Sequence, residues 1–348
     1  MDKAISEAMT SRFRRFVFFL LLLTLAVASA SVANAQTCQT SSDLDDASRA
    51  PILAAAQRYF DMLAKGDAAS LRQNAVPSLA SDFSGVESLV KERQPDLAGA
   101  PAPSPKFFLL QVEGAAPLPH AEFLCGVFGK SGQSANSAAF YLDHLAPASY
   151  AVVLFDLSPP HGRTYVSFIL QQAGSAWKLG GLYVKSAQLA GHDGDWFAAR
   201  ARDYKSKSQL HNAWLYAVEA RTLLAPLPFM STLATDQLDT QLQTLQPPDV
   251  PINGKTTDLP SATPAPGTTY KLIAMFPAAV GNDLDLIVKY QVTDISNTNQ
   301  AFASNVAVMK TLVAKYPELK DAFAGIVARA TDPSAHDYGT LLAMKDIK

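Results

Sequence analysis

The sequence predicts an α+β protein: a curved antiparallel sheet covered by helices, then a helical pair, then a small C-terminal α+β unit. Three observations carry this reading. Apolar residues recur at helical spacing from 48 to 97. The pattern then changes to short β-rich runs between 106 and 185. Helical spacing returns from 195 to 246, ahead of a Pro-rich stretch and a second mixed region.

The amino terminus has the three parts of an export signal. Arg12, Arg14 and Arg15 precede an uncharged apolar run from Phe16 to Val27, and a small-residue stretch ends Ala33-Asn34-Ala35. Residues 1–35 therefore read as a signal peptide cleaved between Ala35 and Gln36, which places the remaining chain in the periplasm or outside the cell. The strongly apolar part is shorter than the roughly 20 residues of a spanning helix, so no stable membrane anchor is expected after cleavage. Cys38 does not follow the small residues of a lipid-attachment site. Losing the leader's four basic and two acidic groups takes the formal net charge from −2 to −4. That balance leaves no basic footprint for nucleic acid.

Residues 36–47 read as a tail and 48–186 as the first unit. A helix from Ser48 would hold Pro51 in its first turn and bury Ile52, Ala56, Tyr59, Phe60 and Leu63. Gly66 ends it, Asp67 caps a second helix, and Ser84 with Glu87 has the spacing of a capping box for a third. After the Pro/Ala-rich segment 99–105, β-rich runs cover 106–113, 120–128, 136–143, 149–157, 163–171 and 176–185, with Pro- and Gly-rich turns between them, among them Pro159-Pro160-His161-Gly162. Short connections favour a meander, because parallel pairing needs crossovers of a dozen or more residues.

The segments Tyr59-Phe60-Asp61-Met62-Leu63-Ala64-Lys65-Gly66-Asp67 and Gly174-Ser175-Ala176-Trp177-Lys178-Leu179-Gly180-Gly181-Leu182-Tyr183 carry a resemblance. In that order of elements the first unit resembles the nuclear-transport-factor-2-like, or ketosteroid-isomerase-like, superfamily of cone-shaped α+β domains. The resemblance covers about residues 48–186 and departs from the common layout in placing the third helix before all the strands. It implies a cone interior that serves as ligand pocket, enzyme site or core. Tyr59, Phe60, Trp177 and Tyr183 are the residues to inspect as a ligand pocket, with core packing as the plainer explanation. Enzymatic members place an ionisable Asp with His or Tyr partners in an apolar cavity. The nearest candidates are Asp143 with His144, and Asp156; neither matches a family motif, and both read better as turn or strand-end residues.

Residues 187–246 form a helical segment. His192-Asp193-Gly194-Asp195 reads as a turn with Asp195 as helix cap rather than as a metal group. Trp196, Ala201, Tyr204, Ala213, Ala217, Ala220 and Pro226 have the spacing of one tetratricopeptide-like repeat, expected to pack against the first unit and covered by a further helix within 227–246. Residues 247–269, with Pro247, Pro248, Pro251, Pro260, Pro264 and Pro266, read as an extended linker. In the last unit, 270–348, strands at 270–276 and 284–293 flank the turn Gly281-Asn282-Asp283. A helix follows at 297–316, a second starts at Pro317 and carries Leu319, Phe323, Ile326 and Val327, and 338–347 is strand-like.

Two cysteines, Cys38 and Cys125, leave two readings in an oxidising compartment: one bridge, or a buried thiol at Cys125 beside a disordered Cys38. The nucleophile elbow, the phosphate-cradling loop, Cys-x-x-Cys and His-Glu-x-x-His are absent from the sequence, so no catalytic residue, metal ligand or cofactor is assigned. The functional expectation is non-catalytic binding of a small apolar ligand or a protein partner. An isomerase- or dehydratase-type enzyme in the first unit and an envelope scaffold are the alternatives.

Overall fold

The computed structural model describes residues 36–129, 132–157, 162–252, 254–261 and 269–348. The expected leader, with Ala35 at its end, lies outside them, as does His161 in the Pro-rich turn. The chain is α+β, with eight helices and seventeen strands in open sheets among the described residues. No described helix is long and apolar enough to cross a membrane.

Strand β1 (Gln36–Thr40) precedes four helices: α1 (Asp46–Ala64), α2 (Ala68–Gln73), α3 (Pro77–Ser81) and α4 (Ser84–Leu97). The expected tail is thus a sheet strand, held because β1 pairs along β2 from Gln36–Val112 to Thr40–Phe108. The first helix begins two residues early, since Asp45 accepts from the Ser48 amide at 2.8 Å, and Pro51 falls beyond the first turn. Asp67 caps α2 as expected. Pro77 starts an extra short helix, and the capping box at Ser84 does not form: Phe83 occupies the cap position and Ser84 is already helical.

The strands that follow are β2 (Lys106–Val112), β3 (Leu118–Cys125), β4 (Phe128–Gly129), β5 (Gly132–Gln133), β6 (Ala138–Leu145), β7 (Ala148–Leu157), β8 (Thr164–Ala173) and β9 (Ala176–Ser186). They do not make a simple meander. The main sheet runs β1-β2-β7-β8-β9, while β3 and β6 leave it and pair with each other, with β12 (Met230–Ser231) on the far side of β6. Burial on both faces is the reason. Phe107, Leu109, Val153, Phe155 and Phe168 pack under the helices, whereas Phe108, Leu110, Tyr150, Val152 and Leu154 face the β3–β6 hairpin through Phe123 and Phe140. An all-antiparallel meander would leave the second face in water; folding the hairpin over it buries both.

The short strands β10 (Gln188–Leu189) and β11 (His192–Asp193) lead into α5 (Gly194–Ser206) and α6 (Leu210–Leu224); β12 and α7 (Leu233–Leu245) follow. Asp193, not Asp195, caps α5, accepting from the Trp196 amide at 3.0 Å. Gly194 sits where a Cβ would come within 2.5 Å of Leu224 Cγ, which lets α5 and α6 cross closely.

The remaining elements are β13 (Thr257–Pro260), β14 (Thr269–Val280), β15 (Asp283–Gln291), α8 (Thr298–Lys315), β16 (Gly325–Thr331) and β17 (Asp337–Ala343), forming one sheet in the order β13-β14-β15-β16-β17. Two expectations fail here. The Pro-rich stretch supplies strand β13 and buries Val250 and Leu259; Pro260 falls at the end of β13, an edge strand, where a missing ladder amide is tolerated. After Pro317 there is a single 3-10 turn, and Ile326 and Val327 lie in β16, paired in parallel with β15 across the α8 connection. Nor does the helical pair pack chiefly on the first unit. Phe197, Tyr204, Trp214 and Tyr216 share one apolar core with Leu286, Val288, Tyr290, Leu312 and Ile326 of the C-terminal sheet and helix.

Candidate functional site

Tyr59, Phe60 and Trp177 are buried together in the core under the helices. Tyr59 is fully buried and its hydroxyl donates to Trp177 O at 2.9 Å and Asn74 O at 3.0 Å. Phe60 packs on Phe155 with centroids 5.0 Å apart, and Trp177 joins the same core. Tyr183 is 38% exposed and meets Phe229 edge-on, away from the other three. The aromatic spacing on α1 and β9 is therefore core spacing.

The candidate acids are also accounted for. Asp143 lies in β6 opposite His120, with Oδ1 2.6 Å from Nδ1, and both side chains are largely exposed. His144 has a left-handed backbone, φ 54, at the strand end. Asp156 takes two hydrogen bonds from the Arg163 guanidinium, and the same guanidinium reaches Asp193. Among the described residues no group of three His, Cys, Asp or Glu side chains could hold a metal ion.

Aromatic and charged side chains converge elsewhere, in a cleft of about 390 Å³ between α5, the β14–β15 turn and the chain after α8. Two tight turns shape it. Ala190 and Gly191, both at positive φ, join β10 to β11 and place His192 flat on Trp196, with centroids 3.7 Å apart and planes at 7°. Gly281, φ 63, opens the β14–β15 turn and puts Asn282 and Asp283 on the opposite wall.

The floor is rigid. Tyr204 donates to Asp321 O at 3.0 Å and Tyr216 to Ala322 O at 2.6 Å, and the two rings meet edge-on at 5.0 Å. Burial pushes both phenols up, most strongly Tyr216, so neither is suited to give up a proton near neutral pH. Asp321 Oδ2 accepts from Gln209 at 2.6 Å. The helix wall presents cations: Arg200 lies 5.5 Å from the Trp196 ring centre and 3.5 Å from Asp203, and Lys207 lies 5.8 Å from the Tyr204 ring centre. The signal for this wall was present in the sequence as Trp196, Arg200, Tyr204 and Lys207, three or four residues apart and hence on one helix face. The opposite wall comes from residues some 80 to 120 positions away, for which no local pattern exists.

A second cluster pins the Pro-rich stretch to the helical pair. His211 lies between two carboxylates, Nδ1 2.7 Å from Glu318 and Nε2 2.9 Å from Asp249. Tyr316 donates to Asp249 at 2.6 Å and Lys315 pairs with it at 3.3 Å. Burial works to raise the Asp249 carboxyl, but Tyr316, His211 and Lys315 together hold it down to about 2. With its groups paired to one another, this cluster is a structural tie. Comparison of the chain with protein-family models, with curated proteins and with solved structures finds no match in any of the three.

Proposed function

We propose that this chain is an exported, non-catalytic binding protein, and that its ligand sits in the cleft between α5 and the β14–β15 turn. One observation carries the reading: the half-buried indole of Trp196 and side chains of both signs, Arg200, Lys207 and Asp203, meet around a preformed concavity. Such a lining fits a small polar ligand with one flat face, such as a saccharide unit or an aromatic amino acid, rather than an apolar one. The tyrosines beneath it are tied to backbone carbonyls, which suits recognition better than proton transfer. A ligand site or an isomerase-type centre inside the first unit has less support, because Tyr59, Phe60 and Trp177 fill the space beneath its helices. Asp143 and Asp156 lie outside that core.

The test uses the three tryptophans. Trp177 and Trp214 are buried, at 7% and 5% exposure, so a bound ligand reports chiefly through Trp196. Cellobiose, N-acetylglucosamine and free aromatic amino acids are titrated into the chain from Gln36 while indole emission is followed. Saturable quenching by one of them, lost in Trp196→Phe, is the expected result. Emission unmoved across the panel, or quenching that persists in Trp196→Phe, removes the cleft as the binding place.

A further inference from the structure

We propose that the open face of the C-terminal sheet is a homodimer interface, on which a second copy of this chain stacks about a two-fold axis running across the strands. The opposite face is covered by α6 and α8, which pack on β14, β16 and β17. On the open face one row of apolar side chains crosses four strands in register: Phe276 beside Ile287, Ile287 beside Val327, and Val327 beside Leu341. Along it Ile287 and Val327 are 6% and 8% exposed, while Phe276 and Leu341 at the ends are 39% and 48% exposed.

The rows on either side differ in charge. One holds Ala274, Lys289, Arg329 and Gly339; the other holds Ala278, Asp285 and Gly325, with Asp283 one step beyond. The small residues keep the surface flat. A Cβ on Gly325 would lie 3.0 Å from Asp285 Oδ1 and 3.3 Å from Leu341 Cδ1, so the glycine lets those two side chains close over it. Flat faces of this kind stack at about 10 Å, sheet on sheet.

Each charged row is unbalanced within one copy. Lys289 and Arg329 share a single carboxylate, Asp337, at 3.3 and 3.2 Å, and the buried Arg329 Nε has no hydrogen-bond partner among the described residues. Asp285 is 3% exposed and has no ion pair among them. Burial, with Asp283 adding to it, pushes the Asp285 carboxyl up, and the Gly325 amide holds it back only in part. A two-fold axis along the apolar row lays that row on its copy. It also sets Lys289 and Arg329 of each protomer toward the exposed Asp283 end of the other, with the buried Asp285 beneath it. A two-fold axis along the strands would oppose like rows, so charge selects the first arrangement. Four strands of this length offer roughly 550 Å² per copy, the lower end for a specific interface and the size of a weak, reversible one.

Sedimentation of the chain from Gln36 at about 100 µM tests this, since that concentration populates a weak, reversible dimer. The expected result is a dimer that dissociates on dilution. F276K/L341K, which changes exposed positions, should be monomeric with an unchanged circular dichroism spectrum. D283K, which leaves the apolar row intact, should weaken the dimer about tenfold, because the two-fold axis repeats the lost exposed ion pair in both copies. A wild-type chain that stays monomeric overturns the proposal, as does a dimer indifferent to a folded F276K/L341K or to D283K. Monomers that instead sediment with phosphatidylglycerol vesicles overturn it in favour of a lipid surface.

Discussion

Cys38 and Cys125 are bonded to each other, with Cα atoms 5.0 Å apart and the two positions 87 apart in sequence. The bond joins β1, at the edge of the main sheet, to the last residue of β3 in the hairpin packed across it. It therefore staples the two layers that enclose Phe108, Phe123 and Phe140.

Removing that staple should destabilise the protein substantially. Closing a loop of this length restricts the unfolded chain by about 4 to 5 kcal/mol at most. Urea unfolding of C38S/C125S, and of the wild type under reductant, should show matching losses of midpoint. A midpoint within error of the oxidised protein would mean that the layers hold by apolar contact alone.

Acid should loosen the seam between the helical pair and the C-terminal sheet. The Asp249 carboxyl is held at about 2, below its ordinary 3.8. Its contribution is therefore complete above the unfolded value and is lost as pH falls from about 4 through 2. The urea midpoint followed across that window should fall in the wild type and change less in Asp249→Asn. Equal slopes in the two proteins would remove Asp249 as the source.

Glu219 has the opposite sign. Burial raises its carboxyl from 4.5 to about 7, with Lys185 pulling it back only in part. Lys185 itself is occupied, donating to Thr222 O and, at 2.9 Å, to Ala225 O at the end of α6. Between pH 4.5 and 7 the folded state keeps a proton that the unfolded chain has released, so stability declines as pH rises through that range. Glu219→Gln should flatten this decline and be the more stable protein at pH 8. A wild-type stability that is level from pH 4.5 to 7 would contradict it.

The core under the helices should show ordinary close-packing costs. Phe155 touches Phe60 at 5.0 Å and Phe168 edge-on at 6.0 Å, so Phe155→Ala should cost about 3 to 5 kcal/mol. Tyr59→Phe removes the donor to the buried Trp177 O and the part-buried Asn74 O, and should cost about 1 to 3 kcal/mol. Chemical denaturation measures both. A near-neutral Phe155→Ala would indicate a hollow interior and return Tyr59, Phe60 and Trp177 to consideration as pocket residues.

The α+β class and most element positions were legible in the sequence, because helix and strand periods are local properties of the chain. Ile52 to Leu63 repeat at helical spacing, and Gly281-Asn282 announces its turn. Local pattern also placed Tyr59, Phe60 and Trp177 on inward faces without saying whether inward meant core or cavity, since that depends on what fills the space opposite. Three features were decided only in three dimensions. The β3–β6 hairpin leaves the main sheet because both faces of β2 and β7 are apolar and each needs a cover. The Pro-rich stretch folds because Asp249 finds His211, Tyr316 and Lys315, residues 38 to 67 positions away. The cleft beside Trp196 exists because helices before that stretch and a sheet after it share one core. Periodicity tells each segment which of its sides must leave water; only the folded chain determines which surface receives it.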